Sequence, residues 1–327
     1  MSRALVYRRR ACHTISDTKR ARARGGRLGG QMTGWIAVDW GTTHLRAWLM
    51  GAGGPRLLQA DTGMGGLSPD QFEPALLSLI GPHLRADTPV IACGMVGARQ
   101  GWREAAYAKA PCAPPGIAEA IHVPSHDPRL NMFILPGVSQ DSPADVMRGE
   151  ETQIAGFLAQ RPDFDGVLCL PGTHTKWAHI SAGEIVSFQT VMTGELFALL
   201  SAHSVLRHSV GDGWDAAAFR DAVNDAMSRP QSIAAQLFTL RANSLLHDQS
   251  PAIANARLSG LLIGLELAAT KPYWLGRDIA LIGADKLTAI YAQALENQGL
   301  APMRHSGDEM TLAGLSAAYA GLKEQLT

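Results

Sequence analysis

Trp35-Ile-Ala-Val-Asp-Trp-Gly-Thr-Thr-His44 carries a β-type run into a tight turn, and Val167-Leu-Cys-Leu-Pro-Gly-Thr-His-Thr-Lys176 does the same in the second half of the chain. Working outward from the first, residues 35–40 and 44–50 read as two strands around Gly41-Thr-Thr43. A third run at 56–60 follows the turn Gly51-Ala-Gly-Gly-Pro55. The second half repeats the order, with strands at 167–171, 176–180 and 184–190 around Gly172-Thr-His-Thr175 and a Ser-Ala-Gly turn. A repeated meander with a Gly-Thr turn in the same place is more than core-building alone tends to produce, and it predicts an α/β chain of two similar lobes.

The turns have a chemistry. Asp39 brings a carboxylate, Gly41 lets backbone N–H groups approach a phosphate closely, and Thr42 and Thr43 add hydroxyl donors, a set suited to a metal–phosphate ligand. A solvated structural hairpin accounts for one such turn equally well. A second turn, with Gly172, Thr173, His174 and Thr175, makes a clamp on a polyphosphate the better reading, if the two face each other across a cleft. Lys176, next to that turn, is placed either to offset charge on a transferred phosphoryl group or simply to lie in solvent at a strand start.

Between and beyond the meanders, Ser68-Pro69-Asp70 signals a helix start, and 89–93 is a short buried strand ending in Gly94-Met-Val-Gly97, at the carboxyl edge of a sheet where α/β proteins place ligands. Residues 108–130 read as loop, 132–135 as strand, and 149–158 as a helix with an acidic first turn. Helices are expected at 194–206, 252–269, 286–298 and 311–322, and a strand at 278–282.

The 327 residues, 46% of them apolar, exceed one ordinary core, so lobes at 32–163 and 164–327 are expected. No charge-free apolar run approaches the roughly 20 residues needed to cross a bilayer, which predicts a soluble protein without a membrane partner. Residues 1–31 hold nine Arg and Lys against Asp17 alone, a surplus of +8 that leaves −8 over the rest of a formally neutral chain. Such a tail can bind nucleic acid or act as a targeting peptide. It contains no pair of amphipathic helices, and Met32 stands just before the first strand, so the tail reads as a disordered extension or translated upstream sequence. Four scattered cysteines (Cys12, Cys93, Cys112, Cys169) without a Cys-x-x-Cys pair argue against a zinc site or a disulfide scaffold and fit a reducing cytoplasm. His122 and His126 straddle Pro124, which breaks the helix that would make them metal ligands.

Six longer strings carry a resemblance. Asp39-Trp-Gly-Thr-Thr-His-Leu-Arg46, Cys93-Gly-Met-Val-Gly97, Met147-Arg-Gly-Glu-Glu-Thr-Gln153, Leu170-Pro-Gly-Thr-His-Thr-Lys-Trp177, Thr190-Val-Met-Thr-Gly-Glu-Leu196 and Leu258-Ser-Gly-Leu-Leu-Ile-Gly264 together resemble the 2-dehydro-3-deoxygalactonokinase family, from about residue 33 to the C-terminus. The resemblance implies the sugar-kinase, hexokinase and actin superfamily, with two ribonuclease H-like lobes of the actin-like ATPase fold around a central ATP cleft. It also implies ATP and Mg²⁺, and transfer of the γ-phosphoryl to the 6-hydroxyl of 2-dehydro-3-deoxy-D-galactonate.

In related sugar kinases the general base opens the helix that leads, through one strand, into the second phosphate loop. Asp145, Glu150 and Glu151 occupy that place, with Glu151 the best match in register and Glu150 next. A substrate carboxylate calls for an arginine fork, for which Arg99, Arg103 and Arg148 are candidates beside Gly94, Met95 and Trp102. By analogy with the fold, Gly260, Gly264, Gly283 and Ala284 border adenosine, although close helix packing explains the first two as well. Asp39 and Glu195 are the candidate Mg²⁺ contacts, and a helix cap is the alternative reading of Glu195. Two rival readings stay open at this level: a kinase of another sugar or sugar acid, and an ATP-binding regulator on the same fold. A homodimer is compatible with either.

Overall fold

A computed structural model describes residues 33–326, so the basic tail at 1–31 lies outside the described residues. Strand β1 (Thr33–Trp40) shows why the first turn is anchored so firmly. It is apolar on both faces: Ile36, Val38 and Trp40 enter one core, Trp35 and Ala37 another, as in sheets covered on both sides. β1 pairs antiparallel with β2 (Leu45–Gly51), which pairs with β3 (Arg56–Ala60), and Asp39 lies opposite Arg46 in that register. Helix α1 (Phe72–Ile80) follows a 3-10 turn opened by the Ser68 capping box. β4 (Thr88–Cys93) then runs parallel to β1, with Cys93 beside Asp39.

Residues 108–130, expected to be loop, contain two short strands, β5 (Ala108–Lys109) and β6 (Ile121–Val123). Their prolines and brevity hide them, but β6 finds an edge partner in β7 (Leu130–Ile134). The first sheet has the order β3-β2-β1-β4-β7-β6. β8 (Val138–Asp141) and β9 (Ala144–Met147) join β5 in a small three-stranded sheet that was not expected from the sequence.

After α2 (Glu150–Gln160) the meander recurs as β10 (Gly166–Leu170), β11 (Thr175–Ser181) and β12 (Glu184–Val191). Helices α3 (Thr193–His203), α4 (Ala216–Ser228), α5 (Ile233–Leu246), α6 (Pro251–Ala269) and α7 (Lys271–Trp274) follow, then β13 (Ile279–Gly283), α8 (Asp285–Glu296), β14 (Met303–Ser306) and α9 (Gly307–Leu326). The second sheet, β12-β11-β10-β13-β14, repeats the order and directions of the first five strands of the first, with β10, β13 and β14 parallel. Both are ribonuclease H-like sheets. α4 and α5 lay in a stretch given no assignment; α5 leaves Phe238, Leu245 and Leu246 exposed, so its apolar residues mark no single face.

Two glycine contacts hold the helices close. A Cβ on Gly156 of α2 would lie 2.0 Å from the Met310 carbonyl oxygen of α9, and one on Gly314 of α9 would lie 2.0 Å from that of Thr152. The far end of α9 packs Leu315, Ala318 and Leu322 against Trp35 and Ala37 of β1. By length and composition α6 would suffice to cross a membrane, yet it is packed against α4 as a core helix and carries Glu266, a buried carboxyl.

Candidate active site

Both Gly-Thr turns border one cleft of about 730 Å³. β1 and β10 have the same place in their sheets, so each delivers its turn at the carboxyl end of a first strand, and β13 and β14 bring Gly283, Ala284 and Ser306 to the same opening. Asp39, Gly41 and Thr42 line the cleft from the first turn, and Gly172, Thr173 and His174 from the second. Thr43 and Thr175 do not. Thr43 is exposed outside the cleft, and Thr175 is fully buried, with its Oγ1 2.9 Å from the Tyr291 hydroxyl.

Arg46 carries two ion pairs at the cleft. Its guanidinium bridges the Asp39 carboxylate and that of Asp308, at the start of α9. Burial pushes the Asp39 carboxyl above its ordinary range, with Arg46 opposing the shift. Neither Arg46 nor Asp308 was singled out from the sequence. Arg46 had a signal, since it faces Asp39 across a hairpin closed by the Gly-Thr-Thr turn. Asp308 had none, because it arrives from a distant part of the chain.

Of the acidic candidates, Glu150 lines the cleft, and its Oε1 lies 3.3 Å from Lys176 Nζ. Glu151, first in register, is fully buried instead. The Gly149 N–H donates to its two oxygens at 2.9 and 2.7 Å, and burial together with the neighbouring Glu150 charge raises its pKa to about 8. A carboxyl that is protonated at neutral pH and closed off from the cleft is poorly placed to act as a base. Asp145 is also directed elsewhere, accepting from the Thr190 N–H and hydroxyl of β12 at 2.6 and 2.7 Å. Lys176 is buried and meets Glu150 rather than the cleft.

Gly94 and Met95 border the cleft, and Gly94, at φ 91°, could not carry a side chain without meeting the Trp40 carbonyl. Arg99 and Arg103 do not reach it: Arg99 is exposed and 3.6 Å from Glu104, and Arg103 is exposed. Trp102 stacks on Phe72 and meets Trp40 edge-on, filling the wall behind the first turn. Arg148 does reach the cleft. It lies over the Tyr107 ring at 4.3 Å and donates from Nη2 to the Ala105 carbonyl, while its Nε and Nη1 are buried without a hydrogen-bond partner.

A second cavity, of about 320 Å³, adjoins the cleft at Gly172. Phe197, Trp214, Leu262, Ile263, Leu287 and Ile290 give it apolar walls, with Asn255, Ser259 and Tyr291 as polar points. Gly260 and Gly264 do not line it. They face α4, where added Cβ atoms would lie 2.5 Å from the Phe219 oxygen and 2.7 Å from the Val223 oxygen, so close helix packing accounts for both. Glu195 is held 2.6 Å from His174 Nε2, outside the lining of the cleft. Among the described residues no group of three His, Cys, Asp or Glu side chains is placed to hold a metal.

Comparison with known proteins agrees with this geometry. Residues 39–318 match the family model described as 2-keto-3-deoxy-galactonokinase. The curated "Probable 2-dehydro-3-deoxygalactonokinase" of Rhizobium meliloti (strain 1021) is 39% identical over 87% of this chain and 96% of its own. The 2-dehydro-3-deoxygalactonokinase of Escherichia coli (strain K12) is 36% identical over 88% of this chain and 98% of its own. A crystal structure from Sinorhizobium meliloti, named for the same kinase, superposes with a TM-score of 0.82 at 39% identity, covering 88% of this chain and 99% of that one. With its paired ribonuclease H-like sheets around the cleft, the chain has the actin-like ATPase fold of the sugar kinases and belongs to the 2-keto-3-deoxy-galactonokinase family.

Proposed function

We infer that the protein transfers the γ-phosphoryl group of ATP to the 6-hydroxyl of 2-dehydro-3-deoxy-D-galactonate, a step of galactonate catabolism. The observation that carries the reading is the facing of two Gly-Thr turns, from equivalent strands of two like sheets, across one cleft that also holds a carboxylate at Glu150. Phosphoryl transfer asks little covalent chemistry of a protein. It needs positioned phosphates, an oriented hydroxyl and a proton acceptor.

Gly41, Thr42, Gly172 and Thr173 would hold the phosphates through backbone N–H and hydroxyl donors, and the apolar cavity beyond Gly172 would take the adenosine. Glu150 would accept the proton of the attacking hydroxyl, its direction fixed by Lys176. Arg148, with two unpartnered nitrogens, would answer the carboxylate of the acceptor. Magnesium fits as a companion of the nucleotide. Asp39 offers one carboxylate at the first turn, which suits an ion coordinated mainly by phosphate oxygens and water, and that ion would neutralise phosphate charge. A cytoplasmic location suits the free thiols of Cys93, Cys112 and Cys169.

A coupled assay of ADP release over a panel of acceptors tests the reading. Turnover with 2-dehydro-3-deoxy-D-galactonate is expected. Turnover with glucose, xylulose or glycerol but none with the keto-deoxy acid would overturn the substrate, and no ADP release with any acceptor would favour a non-catalytic regulator.

A further inference from the structure

Glu266, in the last turn of α6, is 1% exposed and takes no part in the roles above. Its carboxylate gathers three donors from three other elements. Trp177 Nε1 of β11 donates to Oε1 at 2.8 Å, the Tyr291 hydroxyl of α8 donates to Oε2 at 2.8 Å, and the Thr193 hydroxyl of α3 also donates to Oε2. When ionised, the carboxylate can only accept, and the arrangement then fixes the direction of every proton around it. Because Tyr291 gives its proton to Glu266, the Thr175 hydroxyl, 2.9 Å away, must donate to Tyr291. The hydroxyl of Thr175 is therefore spent inward, which explains why it is absent from the cleft.

Three of these residues touch the nucleotide side, and Trp177 stays in the core. Thr175 ends the second Gly-Thr turn, while Thr193 and Tyr291 line the apolar cavity. The first turn of α3 is tied directly to that turn: the Glu195 N–H donates to the Thr173 oxygen at 3.0 Å, and a Cβ on Gly194 would lie 2.3 Å from the Gly172 oxygen. Two routes thus lead from one carboxylate to the phosphate turn, one through Tyr291 and Thr175, the other through Thr193 and the start of α3. Neither ends at Gly94 or Arg148, and Glu150 is met only at one remove, through Lys176, which stands between Thr175 and Trp177 on β11.

We propose that Glu266 is a positioning residue for the nucleotide, holding the second phosphate turn and the walls of the apolar cavity in one arrangement, with the acceptor-binding residues Gly94 and Arg148 outside its network. The inference rests on the kinase reading and adds to it a residue that never meets ATP. Its burial raises the Glu266 carboxyl to about 7, and the three donors counter that rise, as expected for a network that stabilises a costly buried charge.

Glu266→Gln is the informative change. The indole N–H can only donate, so the glutamine oxygen must stay at Trp177, which places its amide NH₂ against the Thr193 and Tyr291 hydroxyls. Both must reverse, and Thr175 with them. Calorimetric titration with ADP is expected to show about tenfold weaker binding, with the KM for ATP raised to match and the acceptor KM changed by less than about twofold. ADP affinity equal to that of the unaltered protein, or equal losses for nucleotide and acceptor, would overturn the inference while leaving the kinase reading intact. If the unaltered protein bound no ADP, the kinase reading would fall and this inference with it. Should Glu266→Gln fail to fold, Tyr291→Phe cuts the route to Thr175 and leaves Trp177 and Thr193 on the carboxylate. A several-fold loss of ADP affinity is then expected, and no loss would overturn the proposal.

Discussion

Lys176 Nζ lies 3.3 Å from Glu150 Oε1, the lysine buried beneath the second phosphate turn and the glutamate opening onto the cleft. The pair gives neighbouring glutamates opposite prospects. Glu150→Gln should lower turnover by about 100-fold or more with ADP binding retained, whereas Glu151→Gln should stay within a few-fold of the unaltered rate. Single-turnover rates on both variants check this, and a dead Glu151→Gln beside an active Glu150→Gln would reverse the assignment.

Lys176→Met should reduce turnover without the Glu150 side chain being lost. About tenfold is expected, since the carboxylate loses the contact that directs it and is left half-buried without its cation. A double-mutant cycle with Glu150→Gln measures the coupling: additive losses would mean that the lysine acts elsewhere.

The buried carboxyls predict a pH dependence of stability. The Glu151 pKa rises from its ordinary 4.5 to about 8, so between those values the folded protein holds a proton that the unfolded chain has lost. Stability therefore falls as pH rises through that window, by about 1.4 kcal/mol per pH unit for each such group, and the deficit persists above it. Glu151→Gln should melt increasingly higher than the unaltered protein on going from pH 5 to pH 8. A melting difference that does not change with pH would contradict the burial account.

Arg46→Gln should uncouple the first turn from α9. Removing the cation leaves Asp39 and Asp308 facing each other without it, and kcat/KM for ATP is expected to fall by at least about tenfold. Steady-state kinetics at two ionic strengths check the sign, because added salt should partly relieve the repulsion.

Removal of residues 1–31 should leave turnover unchanged. Every residue named around the cleft lies at or beyond Asp39, and so does the family match.

The repeated meander was legible because it rests on short-range signals, namely alternating strands around a glycine-containing turn. β1 to β3 and β10 to β12 fall within a few residues of their expected bounds. The phosphate turns were legible for the same reason. Direction within a helix turn was not. Glu150 and Glu151 are adjacent and chemically alike, and only the fold decides that one opens to the cleft while the other curls back onto Gly149. Gly260 and Gly264 misled because a glycine that admits a ligand and one that admits a helix look the same in sequence. Arg46–Asp308 and the partners of Glu266 depend on side chains that meet only in the folded chain.

The Gly156 and Gly314 contacts bear on how this cleft can be altered. α2 begins with Glu150 and α9 begins with Gly307-Asp308, so two carboxylates at the cleft stand on helices whose backbones close on each other at Gly156 and Gly314, with Gln153 donating to the Thr311 hydroxyl between that crossing and the cleft. Their separation is gauged at that crossing, away from any ligand. A single methyl at either glycine would act as a wedge under both helices, and substitutions remote from ATP and acceptor alike could retune catalysis by changing where its acids point.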